Sequence, residues 1–139
     1  MEEFDFPAPD LDDFADMASA AFAALPETFR ARCDGVLIRV EEFADEETLT
    51  AMEIEDPFEL TGLYRGVDLT AKSSADIAPE PDEVWLYRRP ILDEWAERAD
   101  AGLYELVAHV LVHEIGHHFG LTDEQIEAIE ARAGASGSA

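Results

Sequence analysis

At 139 residues and 47% hydrophobic, the chain is the length of one domain and can fill a core without disulfide staples. A formal charge of −24, with only nine Lys and Arg, excludes a surface built to grip nucleic acid or anionic membrane, since phosphate contacts need cations. Cys33 has no cysteine partner, no apolar run is long enough to span a membrane, and the start Met1-Glu2-Glu3-Phe4-Asp5 is acidic where a secretory leader is basic, so a soluble, cytoplasmic protein is expected.

Residues 1–9, with Pro7 and Pro9 and no periodicity, read as a loose acidic arm. From Asp10, placed as N-cap, Leu11, Phe14, Ala15, Ala18, Phe22 and Leu25 recur at helical spacing. Pro26 closes that run and opens a short second helix to about Arg32. Residues 36–41 follow a glycine and are rich in β-branched side chains, which predicts a strand. Asp45 then caps a short helix carrying Leu49 and Met52 that ends before Pro57. A second strand is expected over 60–65, bounded by Gly66, and a loop over 71–81, where Ser73, Ser74, Pro79 and Pro81 fall. Residues 84–87 predict a third strand with Pro90 beyond it, and 91–99 a helix. The next helix, 101–119, is apolar on nearly every side and belongs in the middle of a fold. Gly120 stands where a left-handed residue ends such a helix, and Thr122 with Gln125 forms a capping box for a last helix to about Arg132. Residues 10–132 form a single domain in this reading, and 133–139 a flexible tail.

The chemistry lies in His113-Glu114-Ile115-Gly116-His117, an H-E-x-x-H pattern. Four residues apart on a helix, the two imidazoles sit about 40° apart around the axis and one turn apart along it, so both reach one zinc ion. Glu114 projects to the side, where it can take a proton from water that the metal acidifies. In a chain of this composition the pattern arises by chance with a probability of roughly 1–2%; adding Gly120 and Asp123, which complete H-E-x-x-H-x-x-G-x-x-D, cuts this to on the order of 0.02%. The glycine lets the chain reverse and bring Asp123 back as third ligand. Asp123 also reads as a first-turn acid favoured by the helix dipole, with Glu124 the fallback ligand.

Gly116 inside a helix costs about 1 kcal/mol relative to alanine, which points to an element packed closely against it. His109, one turn before His113, sits about 12 Å along the axis from His117 and cannot share its ion. It either lines the cleft or is a satisfied core histidine. His118 faces away and reads as structural.

These residues resemble the minimal zincins, small bacterial zinc metallopeptidase-like proteins. The similarity runs from about Phe14 to Arg132. Its supporting stretches are Leu25-Pro26-Glu27-Thr28-Phe29-Arg30, Gly62-Leu63-Tyr64-Arg65-Gly66 and Val84-Trp85-Leu86-Tyr87-Arg88-Arg89-Pro90. The specific one is His113-Glu114-Ile115-Gly116-His117-His118-Phe119-Gly120-Leu121. The resemblance implies an α/β (α+β) fold, zincin-like, in which a small mixed sheet of three to four strands packs on a central HExxH helix. It also implies one zinc ion held through the positions occupied by His113, His117 and Asp123. The acidic N-terminal extension and the loop near residues 73–81 depart from the family pattern and leave substrate preference open.

The function expected is a zinc-dependent hydrolase, a metallopeptidase with Glu114 as general base, acting on a peptide or small protein. Tyr64, Arg65 and Tyr87 are candidates by residue type for a second oxyanion donor, though each also reads as ordinary strand surface. An extended peptide is expected to add to a sheet edge along residues 83–88. The competing reading is an acidic protein-interaction module with a non-catalytic or regulatory zinc site. The charge of −24 motivates it, and also admits steering of cationic substrates or a merely solvated surface. Glu114 argues against the module, because a structural zinc site has no use for a non-ligand carboxylate at that spacing.

Overall fold

A computed structural model describes residues 8–33, 35–66, 82–98, 102–122 and 124–128. Residues 1–7 of the expected arm over 1–9, the loop over 71–81, Asp123 and the tail lie outside the described residues, as does the side chain of His118; at the arm's end the Pro9 carbonyl accepts from Arg88 Nε at 2.6 Å.

The first helix, α1 (Leu11–Ala23), begins at Asp10 as its acid-rich start predicts. Asp10 accepts from the Asp13 N–H at 2.8 Å, and Asp13 reaches back to the Asp10 N–H at 2.9 Å, a reciprocal cap that satisfies two otherwise orphan donors. Phe14, Ala18 and Ala21 form its buried stripe. Pro26 separates it from α2 (Glu27–Arg32). Then come β1 (Leu37–Glu41), α3 (Glu46–Ala51) capped by Asp45, and a single 3-10 turn at Pro57–Glu59. The strands β2 (Gly62–Arg65) and β3 (Glu83–Tyr87) follow, with α4 (Arg88–Glu97) and α5 (Leu103–His118) after them.

The three strands make one mixed sheet in the order β1-β3-β2, with β1 parallel and β2 antiparallel to the centre. Period-two alternation divides it into two faces. Ile38, Val40, Tyr64, Val84 and Leu86 pack into the main core with α1 and α5, where Phe14, Leu106, Val107, Leu111 and Ile115 are buried. Leu63, Trp85 and Tyr87 turn the other way, against Ala44, Leu49, Ile54 and Leu60. The α+β architecture, with its sheet laid on the HExxH helix, is the one the sequence implies.

Two expectations change. Residues 83–88 do not form a sheet edge, because β3 is hydrogen-bonded on both sides. Its unbroken apolar run is the signature of a strand covered on both faces. Helix α4 also starts at Arg88, directly after β3, instead of beyond Pro90. Proline is tolerated in a first turn, where its missing N–H would have had no helical partner anyway. The neighbouring Arg89 N–H goes to the Glu42 carbonyl at 3.1 Å.

Helix α5 lies against α1, α4, β2 and β3, which is why it is apolar on so many sides. It ends as predicted at Gly120, whose φ is +69°. The Gly120 N–H donates to the His117 carbonyl at 3.0 Å and the Leu121 N–H to the Gly116 carbonyl at 2.9 Å, closing a Schellman turn. Thr122 and Gln125 then exchange the two bonds of the expected capping box, and residues 124–128 are helical. Gly116 meets its anticipated neighbour: a Cβ there would stand 2.4 Å from both Cγ1 and Cδ1 of Ile126, which is fully buried.

Candidate functional site

His113, Glu114 and His117 occupy the last turns of α5, where the helix emerges from its packing. His113 is half-buried, and the His117 side chain is 50% exposed. Glu114 behaves differently, its side chain only 14% exposed although it lies between them in sequence. The cause is β2. A Cβ on Gly62 would come 2.6 Å from Val110 Cγ1 and 3.2 Å from Glu114 Cγ, so only a glycine lets the strand settle this close to the helix.

In that seat the Glu114 carboxylate accepts the backbone N–H of Tyr64, and its Oε1 lies 3.4 Å from Nδ1 of His117. Burial pushes its pKa from 4.5 up to about 7, because the charged form loses hydration, and the Tyr64 bond offsets only part of this. A shallow pocket of about 180 Å3 opens beside it, lined by Thr61, Glu94, His109, Val110, His113 and Glu114. The rings of His109 and His113 are 4.8 Å apart between centroids and tilted by 57°. Of the two readings left to His109, the structure therefore favours the one that lines the cleft.

The three candidate oxyanion donors are not gathered here. Arg65 leans away from α5, its Nη2 donating to Thr48 Oγ1 at 3.3 Å and its guanidinium 5.6 Å from the centre of the Trp85 ring. Tyr87 is buried on that same far side, its phenol pushed up to about 12 by desolvation. Tyr64 packs on the α5 side, but its hydroxyl donates to Asp82 at 3.2 Å. What Tyr64 brings to Glu114 is its backbone.

Do these side chains suit zinc? Two imidazoles one turn apart offer the neutral nitrogen donors zinc prefers, at the partly open end of an otherwise apolar helix. Among the described residues no group of three His, Cys, Asp or Glu side chains is arranged to hold a metal ion. The third position expected from the sequence, Asp123, is not among them. The donors present thus fit two of the ligands such an ion needs.

Thr61 and Glu94, which also line the pocket, carry no motif in the sequence. Nothing local separates Glu94 from the other acids of α4; only the approach of α4 to α5 brings it to the pocket. Gly62 did carry a signal, since a glycine within a strand pattern often marks a close backbone approach.

A mixed sheet laid on an HExxH helix, with the motif glutamate mostly covered, His113 half-buried and His117 exposed, is the layout of a zincin-like protein. Residues 33–133 match the zincin-like metallopeptidase family, and the chain belongs to that family. No curated protein matches it. Among the described residues, no helix is long and apolar enough to cross a membrane.

Proposed function

We propose that this protein is a zinc-dependent hydrolase acting on peptides, with His113, His117 and Asp123 as ligands and Glu114 as general base. The observation that carries the reading is the seat of Glu114. A surface glutamate on α5 would be solvated and weakly basic, whereas this one lies under β2, beside both motif histidines, with its pKa raised to about 7. Held out of bulk water and oriented by a backbone N–H, such a carboxylate is placed to take a proton and pass it on.

When bound, zinc supplies Lewis-acid polarisation of the scissile carbonyl and acidifies water. Glu114 takes the proton from the attacking water and hands it to the leaving amine, so that one carboxylate serves both half-steps. The Tyr64 N–H fixes the orientation of that carboxylate. With β3 interior, β2 is the sheet edge that meets α5. Thr61 pairs with Tyr87, so the antiparallel register points the backbone groups of Gly62 and Tyr64 away from β3; the Tyr64 N–H is taken by Glu114, and an extended substrate is expected to pair with the outward groups that remain.

The test is peptide hydrolysis by the wild type and by Glu114→Gln, with bound metal measured in both. Cleavage that disappears in the variant while metal is retained supports the hydrolase. An absence of turnover by the wild type across a diverse peptide library retires it in favour of an acidic interaction module.

A further inference from the structure

One carboxylate in the pocket has no part in the mechanism above. Glu94 comes from α4 and lines the cavity with His113 and Glu114. Its partner is Arg98, which caps the C-terminus of α4, Nη1 to Oε2 at 3.0 Å, with side chains 52% and 37% exposed for Arg98 and Glu94. Pairs of this kind, four residues apart and open to water, are weak and exchange readily. The cavity, about 180 Å3 and open to solvent on one side, has room for an ammonium group.

We propose that Glu94 makes this pocket a subsite for a substrate's ammonium group, either a free amino terminus or a lysine side chain, next to the bond that is cut. The inference rests on the hydrolase reading, because it is the nearness of His113 and Glu114 that makes the pocket a place for substrate. An ammonium entering it exchanges the Arg98 guanidinium for itself on Glu94 and keeps the carboxylate paired. An acidic group would meet Glu94 and Glu114 together. The charge of −24 works in the same direction, concentrating cations around the whole molecule.

Three matched peptides test this: one with a free amino terminus, one acetylated with lysine beside the scissile bond, and one acetylated with norleucine there. For a half-exposed carboxylate, wild-type kcat/KM should favour a cationic peptide over the norleucine peptide by on the order of fivefold. Glu94→Gln should bring that ratio to within about twofold, and Arg98→Gln, which removes the competing cation, should raise it. Whether the free-amine or the lysine peptide is preferred identifies the source of the ammonium. A ratio unchanged in Glu94→Gln overturns the proposal, even if all three rates fall together, for that pattern marks a residue that merely shapes the pocket. If the wild type cleaves none of the three, the library assay above judges the hydrolase reading, and the fluorescence anisotropy of the same peptides, dye-labelled at their C-termini, decides the subsite alone. Tighter binding of a cationic peptide, lost in Glu94→Gln, sustains it; equal binding of all three ends it.

Discussion

Changing Glu114 to glutamine keeps the shape of the side chain and an acceptor for the Tyr64 N–H, but removes the charge. In the metal-free chain, burial lifts this carboxyl from 4.5 to about 7. An acid whose pKa is higher folded than unfolded holds its proton more tightly in the folded state. Stability is therefore lost as pH rises from about 4.5 to about 7, and the loss levels off above that. Such a rise corresponds to about 3 kcal/mol, an upper figure because entering water relieves part of it. Glutamine suffers no such loss, and the remaining carboxylates titrate alike in both proteins and cancel in the difference. Urea unfolding in chelator should thus find Glu114→Gln ahead by less than about 1 kcal/mol at pH 5 and by about 2–3 kcal/mol at pH 8. At pH 8 the melting temperature should rise by roughly 6–10 °C. Parallel pH profiles for the two proteins would refute the reasoning, since the carboxylate would then be in water and not beneath β2.

Gly116→Ala gains about 1 kcal/mol of helix propensity but drives a methyl into buried Ile126, so thermal unfolding should show a net loss of about 1–2 kcal/mol. Adding Ile126→Ala should make the pair strongly non-additive in a double-mutant cycle. Gly62→Ala should push β2 away from Val110 and Glu114, costing about 1–3 kcal/mol and lowering the pKa of Glu114, the latter read from the pH dependence just described. Asp123→Ala should abolish tight zinc binding in a competitive chelator titration; unchanged affinity would pass the role to another acid, Glu124 first. Cys33 is buried with its thiol pushed up to about 11, so alkylation at pH 8 should be slow in the folded chain and fast in urea.

Much of the framework was legible because its signals are local. Asp10, Asp45, Thr122 and Gly120 each act within four residues, and each sits where its cap or turn predicts. The central place of α5 could be read from its apolar residues on every side. What needed coordinates was strand order. Nothing in residues 84–87 alone says which strands flank them, although their unbroken apolar run argues against an edge. The same limit hid Glu94, whose part in the pocket depends on how α4 crosses α5. The pattern H-E-x-x-H names the chemistry without saying how wet Glu114 is, and that is decided by a strand some fifty residues earlier.

That last dependence explains why glycines flank the motif. At Gly62 the missing side chain lets β2 close over Val110 and Glu114, and at Gly116 it lets Ile126 seat against the far side of the same turn. Gly120 supplies the reversal that sends the chain back toward α5. A methyl at Gly62 would push β2 off the Val110 and Glu114 side chains, and even a small gap there admits water. Once hydrated, Glu114 would fall back toward an ordinary carboxylate and become a poorer base at neutral pH. The proton affinity of Glu114 is thus a property of packing: the helix supplies the carboxylate, and the strand sets its strength.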